Sequence, residues 1–246
     1  HGTFDFDYLN CSDQQWRKSC NLHRDGDKPA LIRADGSQYW YQNGKLHRDG
    51  DKPAIIDKNN SKWWFKLGIP YRENDKPTVV QADGSQLWHQ DGKQQRASDR
   101  PAAIYKNGTL QWYKDGELHR DGDKPAVIRR KHPEGPIKEK MWYKNGEIHR
   151  DEDKPAIVRN SLQMWYQHNN LHRNNDLPAK ICSDRTYEWY QCGEMHRNGD
   201  KPAHISNGLQ MWYHHGKKHR DGDQPAEIWD DGTKIWYQYG EKHRDS

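Results

Sequence analysis

Histidine, arginine and aspartate recur at fixed offsets along this chain, and these residue types bind metals, move protons and recognise anions. The segment His47-Arg48-Asp49-Gly50-Asp51-Lys52-Pro53 is one copy. Others start at His23, His119, His149, His172, His196 and His219, with Tyr71 and Gln95 at matching positions. Its carboxylates offer oxygen to Ca2+ and its imidazole offers nitrogen to Zn2+. A Ca2+ site, however, needs about six to eight oxygens, and one copy supplies few. The adjacent Arg and Lys charges oppose a cation, and His with Asp on an irregular turn is not a recognised zinc arrangement. The expectation is no metal and no cofactor. Catalysis fits no better, because an active site needs one asymmetric cluster and here one cluster is written many times. The sequence holds no Gly-x-Ser-x-Gly, no Gly-rich phosphate loop and no His-Glu-x-x-His. The chain reads as a non-enzyme.

Repetition of this kind points to a shared structural part. Arg48 and Asp51, and likewise Arg120 and Asp123, keep one spacing with Pro two residues beyond. The expected role is a turn that the Asp caps through its own backbone. The Arg fork then takes that carboxylate or nearby carbonyls, forming a ladder between repeats.

The elements around the motif follow from the period. Seven residues before each His position stands a Trp: Trp16, Trp40, Trp64, Trp88, Trp112, Trp142, Trp165, Trp189, Trp212 and Trp236. The unit is about 24 residues long and occurs about ten times. Asp35-Gly36, Asp83-Gly84 and Asn107-Gly108 are hairpin turns, and Gly44, Gly68 and Gly92 mark a second turn after each Trp. No segment holds a sustained 3.6-residue apolar period. The fold class is all-β, an elongated tandem β-hairpin repeat array. Aliphatic residues are too few for one thick core, with 31% of residues hydrophobic and 31% charged. Each buried Trp removes about 150–250 Å² from water, which stabilises by at most ~4–6 kcal/mol. Folding is therefore organised around aromatic residues spaced along the chain.

Alternation assigns Ala30 and Ile32, with their equivalents, to the core face shared with the Trp. The position between them, Leu31 in this unit, then faces outward; it is apolar in six units and becomes Lys180, His204 and Glu227 in the last three. The residue after each Trp, such as Tyr41 or Tyr143, lies opposite the Trp face. It is either an exposed stripe for sugar rings or, the favoured reading, a cross-strand ladder sealing the second face. The domain reading is an N-terminal strand or cap segment over 1–15 and a single repeat domain over 16–246. An inserted loop lies near 129–140.

Trp40-Tyr41-Gln42-Asn43-Gly44-Lys45-Leu46-His47 resembles the MORN repeat, in which an aromatic precedes Asn-Gly-Lys and then His. The form with His-Arg-Asp-Gly-Asp-Lys-Pro-Ala is similar to variant MORN-type repeats of some bacterial and giant-virus proteins, over nearly the whole chain. It departs in having Arg after the His, where the family normally has Gly, and in the added Asp-Lys-Pro-Ala. The resemblance implies a twisted array of antiparallel hairpins, and scaffolding, dimerisation or membrane-lipid contact.

Departures from the repeat give the binding candidates. Trp63, Tyr71 and His89 form a candidate patch in the most divergent units, and Arg129, Arg130 and Lys131 form a basic loop. Cys11 with Cys20, and Cys182 with Cys192, are close pairs that fit two local disulfides or four free thiols. Sequons stand at Asn10, Asn59 and Asn107. The net charge of +4 is far from a strong nucleic-acid signature, and no apolar run is long enough to span a membrane as a helix. The chain starts at His1 without Met, which fits a processed secreted protein or equally a trimmed chain; the expected location is an extracellular or virion surface rather than the cytoplasm. It ends within a repeat and starts with Phe4-Asp5-Phe6-Asp7-Tyr8, which suggests head-to-tail joining. The expected function is a structural or assembly protein partnered by itself or by other structural proteins. The alternative is a module for glycans or acidic lipids that uses the aromatic stripe and the basic loop.

Overall fold

A computed structural model describes residues 12–245, with side chains to residue 243; the sequon at Asn10, Cys11 and the Phe4–Tyr8 segment lie outside the described residues. Among the described residues there are β-strands and turns and no helix, as the turn spacing predicts. The chain divides into two compact units, 1–116 and 117–246. In the first unit, Leu31–Ile32 pairs with Gln38–Tyr39, which pairs with Ile55–Ile56, then Lys62–Trp63, Val79–Val80 and Gln86–Leu87, all antiparallel. The second unit repeats this from Val127–Arg130 and Ile137–Met141 through Ile157–Arg159 and Leu162–Met164 to Glu227–Trp229 and Lys234–Gln238.

Each repeat contributes one hairpin to this sheet and a second, smaller hairpin of its own. Tyr41–Gln42 pairs with Lys45–Leu46 across Asn43 (φ 49°) and Gly44 (φ 76°). Two consecutive left-handed residues match the twist of a two-residue hairpin, which is why Asn-Gly stands there. Trp40 lies between the strands Gln38–Tyr39 and Tyr41–Gln42 and belongs to neither. It is the pivot at which the chain leaves the sheet for the small hairpin.

That pivot corrects the expected assignment of faces. Alternation counted through the Trp fails because the strand ends there. Leu31, Val79, Ala103, Val127 and Ile157 are buried, while Ile32, Val80, Ile104, Ile128 and Val158 are half-buried. Ala30 and Trp40 are buried as expected, but the stripe read as outward is also buried in most units, more so than Ile32 and its equivalents. In the second unit Val127, Met141 and Ile157 form a cluster covered by Tyr143, Tyr166, Leu118, Ile148 and Met164. Tyr143 and Tyr166, which follow Trp142 and Trp165, pack onto this core. Ala30 and its equivalents are fully buried at the start of each strand. The Ala30 N–H donates to the Tyr39 carbonyl, and the Ala30 carbonyl accepts the Trp16 N–H.

The insertion after Ile128 keeps a turn at 131–136 between two strands. It lengthens both strands into a hairpin with a register shift between Arg129 and Arg130, and the Gly135 N–H closes the tip on the His132 carbonyl at 2.9 Å.

Candidate functional site

The repeated polar motif builds the joint between successive units. Gly50 (φ 74°) and Asp51 (φ 53°) are consecutive left-handed residues, so the chain turns sharply and sends the Asp51 carboxylate toward the next repeat. Arg72 meets it with Nε at 2.6 Å from Oδ1 and Nη2 at 3.4 Å from Oδ2. Lys76 Nζ donates to Oδ2 at 2.7 Å. These partners hold the Asp51 carboxyl at about 2, well below its ordinary 3.8. The Arg72 Nη1 donates to the Pro77 carbonyl at 3.1 Å, and its cation lies 3.7 Å from the centre of the Trp64 ring. The Trp64 indole N–H donates to the Asp51 carbonyl at 3.0 Å. One arginine thus stacks on the Trp and joins two turns, the arrangement for which a planar fork is suited.

The same contacts recur at Arg48 with Asp27 and Trp40, at Arg150 with Asp123 and Trp142, and at Arg197 with Asp176 and Trp189. Arg120 donates to the Pro125 carbonyl at 3.3 Å. The Asp does not cap its own turn, contrary to expectation. Its carboxylate goes instead to the Arg of the next repeat; the Asp that caps a turn is at the sheet hairpin, where Asp35 Oδ1 accepts the Ser37 N–H. Trp88, Trp112 and Trp165 bond Asp carbonyls in the same way. Trp236 Nε1 also donates to an Asp carbonyl, that of Asp223, whereas the Trp212 indole acts on the Asp200 carboxylate and helps to lower its pKa.

Histidine forms a second joint. His47 Nδ1 accepts the Leu67 N–H at 3.3 Å, and Nε2 lies 3.1 Å from Asp49 Oδ1. The acceptor role of Nδ1 assigns the proton to Nε2, a neutral ring bonded on both sides. Gln95, which seemed a departure from the motif, does the same work: its Oε1 accepts the Asp115 N–H at 2.7 Å. A third joint uses serine hydroxyls, with Ser37, Ser61 and Ser85 accepting the N–H groups of Lys58, Ala82 and Lys106.

The candidate binding residues do not converge. Tyr71 is 44% exposed and lines an open groove of about 230 Å³ with His47, Arg48, Trp64 and Arg72. Trp63 is held in the sheet between Ile55 and Val79. His89 is half-buried with Nδ1 2.7 Å from Thr78 Oγ1, and burial lowers its pKa. Arg129 is paired with Glu139 at 2.7 Å, and Arg159 holds the other carboxylate oxygen. Arg130 donates to the Gly135 carbonyl, and Lys131 is exposed. Cys20, Cys182 and Cys192 are free thiols. Cys182 and Cys192 occupy different hairpins, in contacts with Thr186 and His172 respectively. Asn59 and Asn107 are exposed at hairpin tips, but the third residues of their sequons, Ser61 and Thr109, are buried.

The polar residues Lys180, His204 and Glu227 continue the inner stripe. Lys180 Nζ lies 3.0 Å from Glu188 Oε2, and the Tyr190 hydroxyl donates to the same oxygen at 3.0 Å. Burial pushes Glu188 up, but His204, Lys180 and Tyr190 together hold it down at about 2. Lys218 and Trp229 bind Glu227 similarly. Sequence reasoning missed Glu188 because it stands on the opposing strand, and only the register Lys180↔Glu188↔His204 reveals the set. No protein-family model matches this chain, and no curated protein matches it.

Proposed function

We propose that this chain is a non-enzymatic repeat scaffold that associates with further copies of itself, in the manner the MORN-type resemblance implies. One observation carries the reading: at each joint described, the His, Arg, Asp and Trp groups are spent on holding one repeat to the next. Groups so engaged are poorly placed for turnover, and function passes to positions where repeats differ. The small hairpin Phe65–Lys66 with Ile69–Pro70 is the main such place. Leu67 is 53% exposed and Ile69 52%, where the neighbouring hairpins carry Asn43 with Lys45 and Asp91 with Lys93. With Tyr71 they form an apolar tip suited to a protein partner.

The glycan or lipid alternative has less support, since Tyr143 and Tyr166 pack inward and Glu139 neutralises Arg129. Sedimentation velocity across a wide concentration range tests the proposal. The expected result is self-association that weakens in the Leu67→Lys, Ile69→Lys double variant. A sedimentation coefficient independent of concentration would overturn it.

A further inference from the structure

Two successive small hairpins in the second unit bring three imidazoles together. His196 follows the strand Glu194–Met195, and His214 and His215 lie in the next hairpin, where Tyr213–His214 pairs with Lys217–Lys218. One donor atom from each ring lies within 4.8 Å of the other two. The ring centroids are 4.6 Å apart for His196 and His215, 5.1 Å for His196 and His214, and 4.5 Å for His214 and His215.

The hydrogen bonds orient two of these rings as ligands. His196 Nε2 lies 2.9 Å from Asn198 Oδ1. With the proton there, Nδ1 carries the lone pair, which now meets only the His215 N–H at a long 3.3 Å. His215 Nδ1 is 3.3 Å from Glu194 Oε2, which leaves Nε2 open. A carbonyl or carboxylate behind the second ring nitrogen is the usual outer contact of a metal-bound histidine. His196 and His214 border a groove of about 520 Å³. Beyond His214, at 6.0 Å between centroids, stands His219. Its Nδ1 is buried without a partner among the described residues.

We propose that His196, His214 and His215 bind a divalent transition-metal ion of the Zn2+ class, clipping one repeat to the next. An imidazole set selects such ions over Ca2+ or Mg2+. Zn–N bonds of about 2.0–2.1 Å place tetrahedral nitrogens roughly 3.4 Å apart, so the exposed His214 and His215 close by about 1 Å on the buried His196. The fourth position falls to solvent or to His219. The site takes His196 from one copy of the repeated His-Arg-Asp motif and adds His214 and His215 from the next small hairpin, and it does not depend on the scaffold reading.

The chain contains its own control. Glu147, His149 and His168 reproduce Glu194, His196 and His215, with His168 Nδ1 2.6 Å from Glu147 and the rings 4.5 Å apart. Gln167 stands there in place of His214.

Calorimetric titration of the full chain with Zn2+, with Mg2+ as reference, tests the assignment. The expected results are one tight equivalent of Zn2+, binding at least about tenfold weaker in His214→Gln, and a second equivalent in Gln167→His. Circular dichroism of each variant establishes that it is folded. Absence of saturable Zn2+ binding, or a folded His214→Gln that binds as the wild type does, would overturn the proposal.

Discussion

Replacing Asp51 by Asn removes one charge from one joint and leaves the backbone alone, because Asn tolerates the left-handed φ of 53° that this position holds. The carboxylate loses Arg72 at 2.6 Å and Lys76 at 2.7 Å. Holding Asp51 at about 2 against an ordinary 3.8 corresponds at full weight to about 2.4 kcal/mol. The side chain is 39% exposed, so solvent screening reduces this to about 1 kcal/mol. The Asp51 carbonyl still accepts the Trp64 indole N–H, so the stacked pair survives. Asp51→Ala loses the same charge and adds left-handed strain of about 1–2 kcal/mol.

The pH dependence follows from the depressed pKa. The carboxylate contributes its full stability above 3.8 and loses it as pH falls through about 2. Urea unfolding followed by Trp fluorescence at pH 7 and near pH 2 measures both effects. The expected outcome is a deficit of about 1 kcal/mol for Asp51→Asn at pH 7, larger for Asp51→Ala, with the Asn deficit vanishing near pH 2. Equal stability of Asp51→Asn and wild type at pH 7, or a deficit unchanged in acid, would refute the electrostatic account of the joint.

The remaining predictions use positions where repeats differ. Ser98 holds φ 62° where most copies have Gly, so Ser98→Gly raises the thermal midpoint by an amount equivalent to up to about 1 kcal/mol; a lowered midpoint contradicts this. Gln95→His retains the acceptor for the Asp115 N–H and Gln95→Leu loses it, at about 1 kcal/mol. Hydrogen exchange of that amide, accelerated only in the Leu variant, checks the claim. Glu188→Met strands Lys180 and His204 and costs about 2 kcal/mol. Lys180→Met with Glu188→Met extends the apolar stripe of Met164 and Met211 and costs less than the single change, which a double-mutant cycle measures.

The period, the turns and the all-β class are local properties, so they were legible in the residues. Asn43-Gly44 requires a tight turn wherever it stands, and a Trp seven residues before each His marks the unit without knowledge of its contacts. The identity of the joint was half legible. Arg and Asp of matching spacing announced a ladder between repeats, as found, but the expected cap at the Asp's own turn was not, because its carboxylate reaches the Arg of the next repeat. Gln95 stands at a His position in sequence, and that it makes the same contact lies in where one acceptor atom reaches.

What the sequence determined by itself is the repeat and its hairpins, because turn chemistry and strand alternation act over a few residues. What only the tertiary structure decided is which stripe is inside. The chain pivots at each Trp, so alternation cannot be counted through it, and Tyr143 folds over Val127 and Ile157. Pairing across strands then decided the rest: Glu188 between Lys180 and His204, and Glu139 between Arg129 and Arg159. Packing of one small hairpin on the next gathered His196, His214 and His215. These sets join residues from separate strands or successive hairpins, and their distances are fixed by register and stacking, which no local pattern encodes.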